Sequence, residues 1–162
     1  MILVYNNGIK TKEVGKIMKM LAKAIFIASE AHKNQVDKSG KAYILHPLHL
    51  MNQLLYDTDL AIIAVLHDVV EDSHWTIELL RQQGFDNRVL EALSLLTHLE
   101  NDSYKEYIDK ICSNQDAITV KRKDLQHNSD ITRLKGVTSK DIARMEKYHK
   151  AFIKLGNARI NK

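Results

Sequence analysis

Apolar residues along this chain recur at helical spacing almost from end to end. Between residues 11 and 33 they fall at Val14, Ile17, Met18, Leu21, Ala22, Ile25, Ala28 and Ala31, the i, i+3, i+4 rhythm of an amphipathic helix that Thr11 can cap. Residues 34–45 break the rhythm with a Ser39-Gly40 turn signal, so a loop is expected there. Pro47 suits the first turn of a helix running to about Tyr56, because the N–H it lacks has no helical partner at that place. Asp57 or Thr58 can cap the next helix, 59–70. Its middle, Leu60-Ala61-Ile62-Ile63-Ala64-Val65-Leu66, is apolar on every side, as in a helix packed at the centre of a domain. Further helices are predicted from Thr76 to about Gly84 and over 87–97. Another begins at Ser103, where Glu106 completes a capping box, and runs to about Cys112. A helix over 116–134 should end at Gly136, and one over 141–155, capped by Thr138 or Ser139, should stop at Gly156. The expectation is an all-α, single-domain bundle of seven or eight helices. Residues 20–156 form the domain and 157–162 a tail. Residues 1–19 either extend the first helix or form an arm.

Composition narrows this picture without redirecting it. One proline and six glycines in 162 residues are too few breakers for a turn-rich β fold. The single cysteine, Cys112, rules out an internal disulfide and any cysteine-rich metal site. The longest apolar run, 60–66, is far short of the ~20 residues needed to span a bilayer. Met1 to Tyr5 is apolar but has no basic stretch before it, so no signal peptide is read and a cytoplasmic location is expected. The net charge of +4 is spread out. Its densest run, Lys121-Arg122-Lys123, reads as a solvated helix face with weak attraction for small anions. A nucleic-acid surface would need a clustered basic stripe, so neither a specific nucleic acid nor a membrane is expected as partner; an oligomer is compatible with the sequence.

The chemistry concentrates in His67-Asp68-Val69-Val70-Glu71-Asp72, directly after the all-apolar helix. Ionisable groups there are costly unless paired or bound to a cation. His67 and Glu71 are four apart, as are Asp68 and Asp72, so each pair shares a helix face. His67 and Asp68 can then hold a metal while Glu71 and Asp72 face a water on it. His46, before Pro47, and Asp124, four before Asn128, supply further nitrogen and oxygen donors. This mixed set suits Mn²⁺, Fe²⁺, Co²⁺ or Zn²⁺. His32, His74, His98 and His149 read as ordinary helix-end or surface histidines, Trp75 as a packing anchor, and Tyr104 and Tyr107 as core or rim. Arg133 and Arg144 read as partners for carboxylates on neighbouring helices.

These motifs resemble the HD superfamily of metal-dependent phosphohydrolases, in its alarmone (ppGpp) hydrolase branch. Lys38-Ser39-Gly40-Lys41-Ala42-Tyr43-Ile44-Leu45-His46-Pro47 is similar to that branch's loop and first histidine. His67 to Asp72 is similar to its central motif, and Lys121 to Asn128 to its Lys-x-x-Asp-Leu-x-x-Asn helix. The likeness runs from about Leu21 to Leu155, in the plan of a small stand-alone hydrolase of the Mesh1 type. It implies that His46, His67, Asp68 and Asp124 hold one divalent ion, Mn²⁺ first among the candidates. Glu71 and Asp72 would position and deprotonate the water on that ion. Lys38, Ser39, Tyr43 and Asn128 would contact the nucleotide, and the reaction would remove the 3′-pyrophosphate of a ppGpp-like alarmone. Two positions depart from the pattern: Asp37 stands where the branch carries an arginine that packs on the base, and Ala42 where it carries proline. The altered loop leaves alternatives: the same chemistry on NADPH or a nucleoside monophosphate, or a non-catalytic nucleotide-sensing or antitoxin-like binding protein.

Overall fold

The computed structural model describes residues 11–160, of which 11–14, 16, 17, 159 and 160 are described by backbone alone. The Thr11 cap and the apolar positions Val14 and Ile17 therefore lie outside the described side chains. The described chain is all-helical, as the periodicity predicts; its one β contact is an isolated bridge between Val36 and Ala42. Helix α1 (Thr11–Ala31) leads through the loop to α2 (Leu45–Gln53) and α3 (Thr58–Leu66). Residues 11–19 lie within α1, and the rest of the 1–19 extension lies outside the described residues.

Helix α3 is the hub. Leu60 to Leu66 are all buried, and the helix is surrounded by α1, α2, α6 (Asn87–Leu96) and α8 (Gln115–Asn128). Each fully buried Leu, Ile or Val contributes about 1.5–3 kcal/mol of transfer free energy, which is why the most apolar stretch takes the centre. Its start is fixed by Asp57, whose Oδ1 accepts from the backbone N–H of Asp59 and Leu60 at 3.0 and 3.2 Å. Arg88 ties the same end to α8 by pairing with Asp57, Asp59 and Asp116 at 2.7–3.0 Å. Helix α5 (Ile77–Gln82) starts at Thr76, and α7 (Tyr104–Ile111) starts with the Ser103–Glu106 capping box in both directions.

Three boundaries differ from the predicted ones. The helix expected over 59–70 ends at Leu66, and a short α4 (Val69–Asp72) follows. At Asp68 the backbone relaxes to φ −99°, ψ −5°, turning the chain out of the α3 axis at the His-Asp pair. The helix expected to reach Leu134 ends at Asn128. There Ser129 N–H is already bonded to the Leu125 and Gln126 carbonyls, and Asp130 diverts the chain into a 3₁₀ turn (Ile131–Arg133) by accepting from Thr132 N–H. The last helix, α9 (Ser139–Ile160), is capped by Thr138 as expected but runs straight through Gly156 and the start of the assigned tail. At Gly156 the Arg122 side chain comes close to the helix backbone. A Cβ at this position would lie 2.7 Å from the Arg122 guanidinium, which rests 4.2 Å from the Phe152 ring centre. Among the described residues no helix is long and apolar enough to cross a membrane.

Candidate metal centre and its cleft

The end of α3, the start of α2 and the last turns of α8 converge on one buried cluster. His46, His67 and Asp124 are each at most 4% exposed, and one donor atom from each lies within 4.8 Å of the others. His46 Nε2 is 3.2 Å from Asp124 Oδ1, and His67 Nε2 is 2.9 Å from Asp68 Oδ2. The crossed distances, His46 to Asp68 and His67 to Asp124, are both 3.8 Å. The four predicted ligands are therefore brought together. Both Nε2 atoms are buried without a hydrogen-bond partner. Orphaned buried nitrogens are costly, and two of them facing two carboxylates is the arrangement a divalent cation satisfies. His67 Nδ1 lies 2.8 Å from the Ala64 carbonyl. A carbonyl only accepts, so Nδ1 always carries a proton, and Nε2 is the nitrogen whose proton a metal would displace to use its lone pair.

Electrostatics point the same way. Burial alone would lower the basicity of His67, but the carboxylates of Asp68 and Asp124 outweigh it and push its pKa up to about 10. Burial works against the Asp124 charge too, yet Lys121, with Nζ 2.8 Å from Oδ2, and the two histidines hold its carboxyl well below the ordinary range. The site calls for positive charge. Lys121 is therefore not on a solvated face: it is sequestered between Asp124 and the Tyr107 ring. Asp124 thus forms an intrahelical ion pair with Lys121 through Oδ2 while its Oδ1 faces the histidines.

The remaining predicted residues surround the cluster in unequal ways. Asp72 is exposed at the end of α4, yet desolvation, reinforced by the charge of Asp68, raises its carboxyl above the ordinary value. Glu71 is exposed and accepts from His98 N–H at 3.1 Å, which anchors α4 to the loop after α6. Tyr43 donates to Asp68 Oδ2 at 2.5 Å, and Asn128 Nδ2 to Asp124 Oδ1 at 2.5 Å. Both expected substrate contacts thus buttress a carboxylate of the cluster. Each also lines a cleft of about 200 Å³ with His46, Lys38, Ser39, Arg133, Arg144 and Tyr148. Ser39 spends its hydroxyl on Asp37 Oδ1 at 2.6 Å, which also accepts from the N–H groups of Ser39 and Lys41. Asp37 is thereby the organiser of its own loop. Asp37 itself lines the cleft, where its charge is shared with Arg133, 3.4 Å away.

His127 is the site residue that sequence reasoning passed over. Its Nδ1 is 2.6 Å from His46 Nδ1. The available signal was its i+3 position after Asp124. His32, expected as a plain helix-end residue, is buried, with Nδ1 2.6 Å from Gln35 Oε1 and its ring beside Tyr43. Arg144 pairs with Asp141 of its own helix rather than with a neighbouring helix.

No protein-family model matches the chain. A probable GTP pyrophosphokinase of Mycobacterium leprae is 28% identical over 122 residues, 68% of this chain and 16% of the relative. A guanosine-3′,5′-bis(diphosphate) 3′-pyrophosphohydrolase of Haemophilus influenzae is 34% identical over 82 residues, covering 49% of this chain and 12% of that protein. The chain thus spans about a sixth or less of the length of these curated relatives. A solved structure of a metazoan ortholog of SpoT, described as hydrolysing ppGpp, superposes with a TM-score of 0.68. It covers 94% of this chain and 88% of its own at 20% identity. The fold is shared with that protein, and the resemblance read from the sequence motifs is borne out by these relatives.

Proposed function

We propose that this chain is a metal-dependent phosphohydrolase acting on a phosphorylated nucleotide, with removal of the 3′-pyrophosphate of a ppGpp-like alarmone as its reaction. The observation that carries the reading is the buried His46–His67–Asp124 cluster, completed by Asp68 and opening on a cleft walled by Lys38, Arg133 and Arg144. The curated relatives named as ppGpp pyrophosphohydrolases support the choice of substrate.

His46, His67, Asp68 and Asp124 would hold the ion, Mn²⁺ being the first candidate. When bound, a divalent cation supplies Lewis acidity and lowers the pKa of water by several units. The protein does the rest. Tyr43 and Asn128 orient the two carboxylates. Asp72, with its raised pKa, is the group suited to accept a proton from the attacking water near neutral pH. Glu71, fixed at α4 by His98 N–H, shapes that side of the site. Lys38, Arg133 and Arg144 bring donors to phosphate oxygens, where charge grows as the phosphorus–oxygen bond breaks. The expected location is the cytoplasm.

A second reading rests on Asp37. The carboxylate engages the loop backbone and Arg133, so this loop offers no guanidinium of its own to a guanine base. NADPH or a nucleoside monophosphate is then the competing substrate, on the same machinery. Relative kcat/KM of the Mn²⁺-loaded chain on ppGpp, NADPH and nucleoside monophosphates decides between them. Preference for ppGpp supports the alarmone reading and preference for NADPH or a monophosphate replaces it. Tight nucleotide binding without turnover of any would make the chain a sensor.

A further inference from the structure

The two histidines of the cluster reach the same tautomer by different routes. His67 is fixed by a backbone carbonyl, which can only accept. The partner of His46 Nδ1 is another imidazole nitrogen, His127 Nδ1, at 2.6 Å, and an imidazole nitrogen donates or accepts according to its own tautomer. A third group decides the matter. Arg133 Nη1 lies 3.1 Å from the same His127 Nδ1 and also donates to the His127 carbonyl at 2.9 Å. A guanidinium has only donors. An N–H at His127 Nδ1 would point into that guanidinium, so His127 Nδ1 is the bare nitrogen, its one lone pair shared by His46 and Arg133; His46 Nδ1 then carries the proton, and His46 Nε2 is the nitrogen that faces Asp124 and Asp68. The rings are held for this contact. His46 and His127 are parallel within 4° at 4.9 Å, and His49 stacks on His127 at 4.1 Å.

We propose that His127 is a positioning residue for the metal: made an acceptor by Arg133, it locks His46 in the tautomer that presents Nε2 to the ion. The proposal rests on the reading of His46 as a ligand. It assigns to an imidazole the orienting task that a carbonyl or carboxylate usually performs beside a metal-bound histidine. It also gives Arg133 a duty at the metal centre in addition to its place in the cleft wall.

The test is calorimetric titration of Mn²⁺ into the full chain stripped of metal. His127→Leu should weaken binding about 10- to 100-fold. His127→Asn, whose amide oxygen hangs from Cγ where Nδ1 does, should bind within about 3-fold of the unaltered chain, since it restores the acceptor. A His127→Leu variant that binds Mn²⁺ normally overturns the proposal. So does an Asn variant as weak as the Leu one, because packing of the ring rather than its acceptor would then be at work. A readout that needs no variant is long-range ¹⁵N–¹H NMR of the Zn²⁺-loaded chain. It should show the His46 ring protonated at Nδ1; protonation at Nε2 overturns the proposal. If the unaltered chain takes up no Mn²⁺, or His46→Ala takes it up equally well, the metal reading itself fails, an outcome distinct from a failure at His127 alone.

Discussion

Two regions meet at Tyr43, and they balance charge in opposite ways. On one side the hydroxyl of Tyr43 donates to Asp68, within a buried cluster of two carboxylates and two imidazoles that stays unsatisfied: two buried Nε2 atoms lack partners. On the other side lies the loop 36–42, closed by the Val36–Ala42 bridge. There Asp37 satisfies three loop donors and meets Arg133. The cluster is built to be completed by something else, whereas the loop completes itself and leaves only Lys38 and its rim to a ligand. On the proposed function, the chemistry belongs to the cluster, and the choice of nucleotide to the loop and the arginines across the cleft.

Breaking the cluster should have the larger consequences. Asp124→Ala removes a ligand candidate and strands Lys121, whose side chain is 14% exposed. Leaving one partner of a buried pair costs about 3–5 kcal/mol, so urea unfolding should show a loss of that order together with loss of turnover. A variant as stable as the unaltered chain would contradict the pairing. Asp72→Asn should spare the fold but lower kcat by about 10²–10⁴, the usual worth of a general base. Because desolvation raises the Asp72 pKa, the rate of the unaltered chain should fall on the acid side at a pH above the ordinary carboxylate value. The Asn variant should lack that limb, and an unchanged pH profile would remove Asp72 from the role.

Breaking the loop should cost less and read out differently. Asp37→Ala loses hydrogen bonds worth about 0.5–1.5 kcal/mol each. KM should rise about 3- to 10-fold for each such bond's worth of order lost, with kcat and Mn²⁺ affinity nearly unchanged, because Arg133 keeps its own bond to the His127 carbonyl. A fall in kcat without a rise in KM would erase the division between the two regions. The smallest effect is on stability. The Asp37 carboxyl is held down from 3.8 to about 2, chiefly by the Ser39 hydroxyl and then by loop N–H groups. Its charged form therefore stabilises the fold above about pH 4, and that contribution is lost as the pH falls from about 4 toward about 2. Acid unfolding of Asp37→Asn should be shallower across that window.

What the sequence discloses divides along the same line. The all-apolar α3 and the Ser103–Glu106 box could be read directly, because burial on every side and a reciprocal cap leave a pattern in the residues themselves. The His67-Asp68 pair stood out for the same reason, as polar groups placed where burial is expected. The end of α8 did not, since Asn128-Ser129-Asp130 is compatible with a helix until Asp130 is seen accepting from Thr132. Gly156 reads as a stop because nothing local announces that α9 continues past it with the Arg122 side chain lying alongside. Asp37 showed its sign but not its partners: charge is visible in a sequence, whereas the donors that consume it belong to the folded loop. His127 was silent for that reason too, since its meaning comes from Arg133 and His46 converging on a single nitrogen.

The central claim, that the buried cluster is a metal site driving phosphoester hydrolysis, is tested most directly by pyrophosphate release from ppGpp. The purified chain should be measured with Mn²⁺, after chelation, and as Asp68→Ala. The expected result is turnover that chelation abolishes, that Mn²⁺ restores, and that Asp68→Ala lacks under every condition. Turnover that survives chelation, or that Asp68→Ala retains, would contradict it.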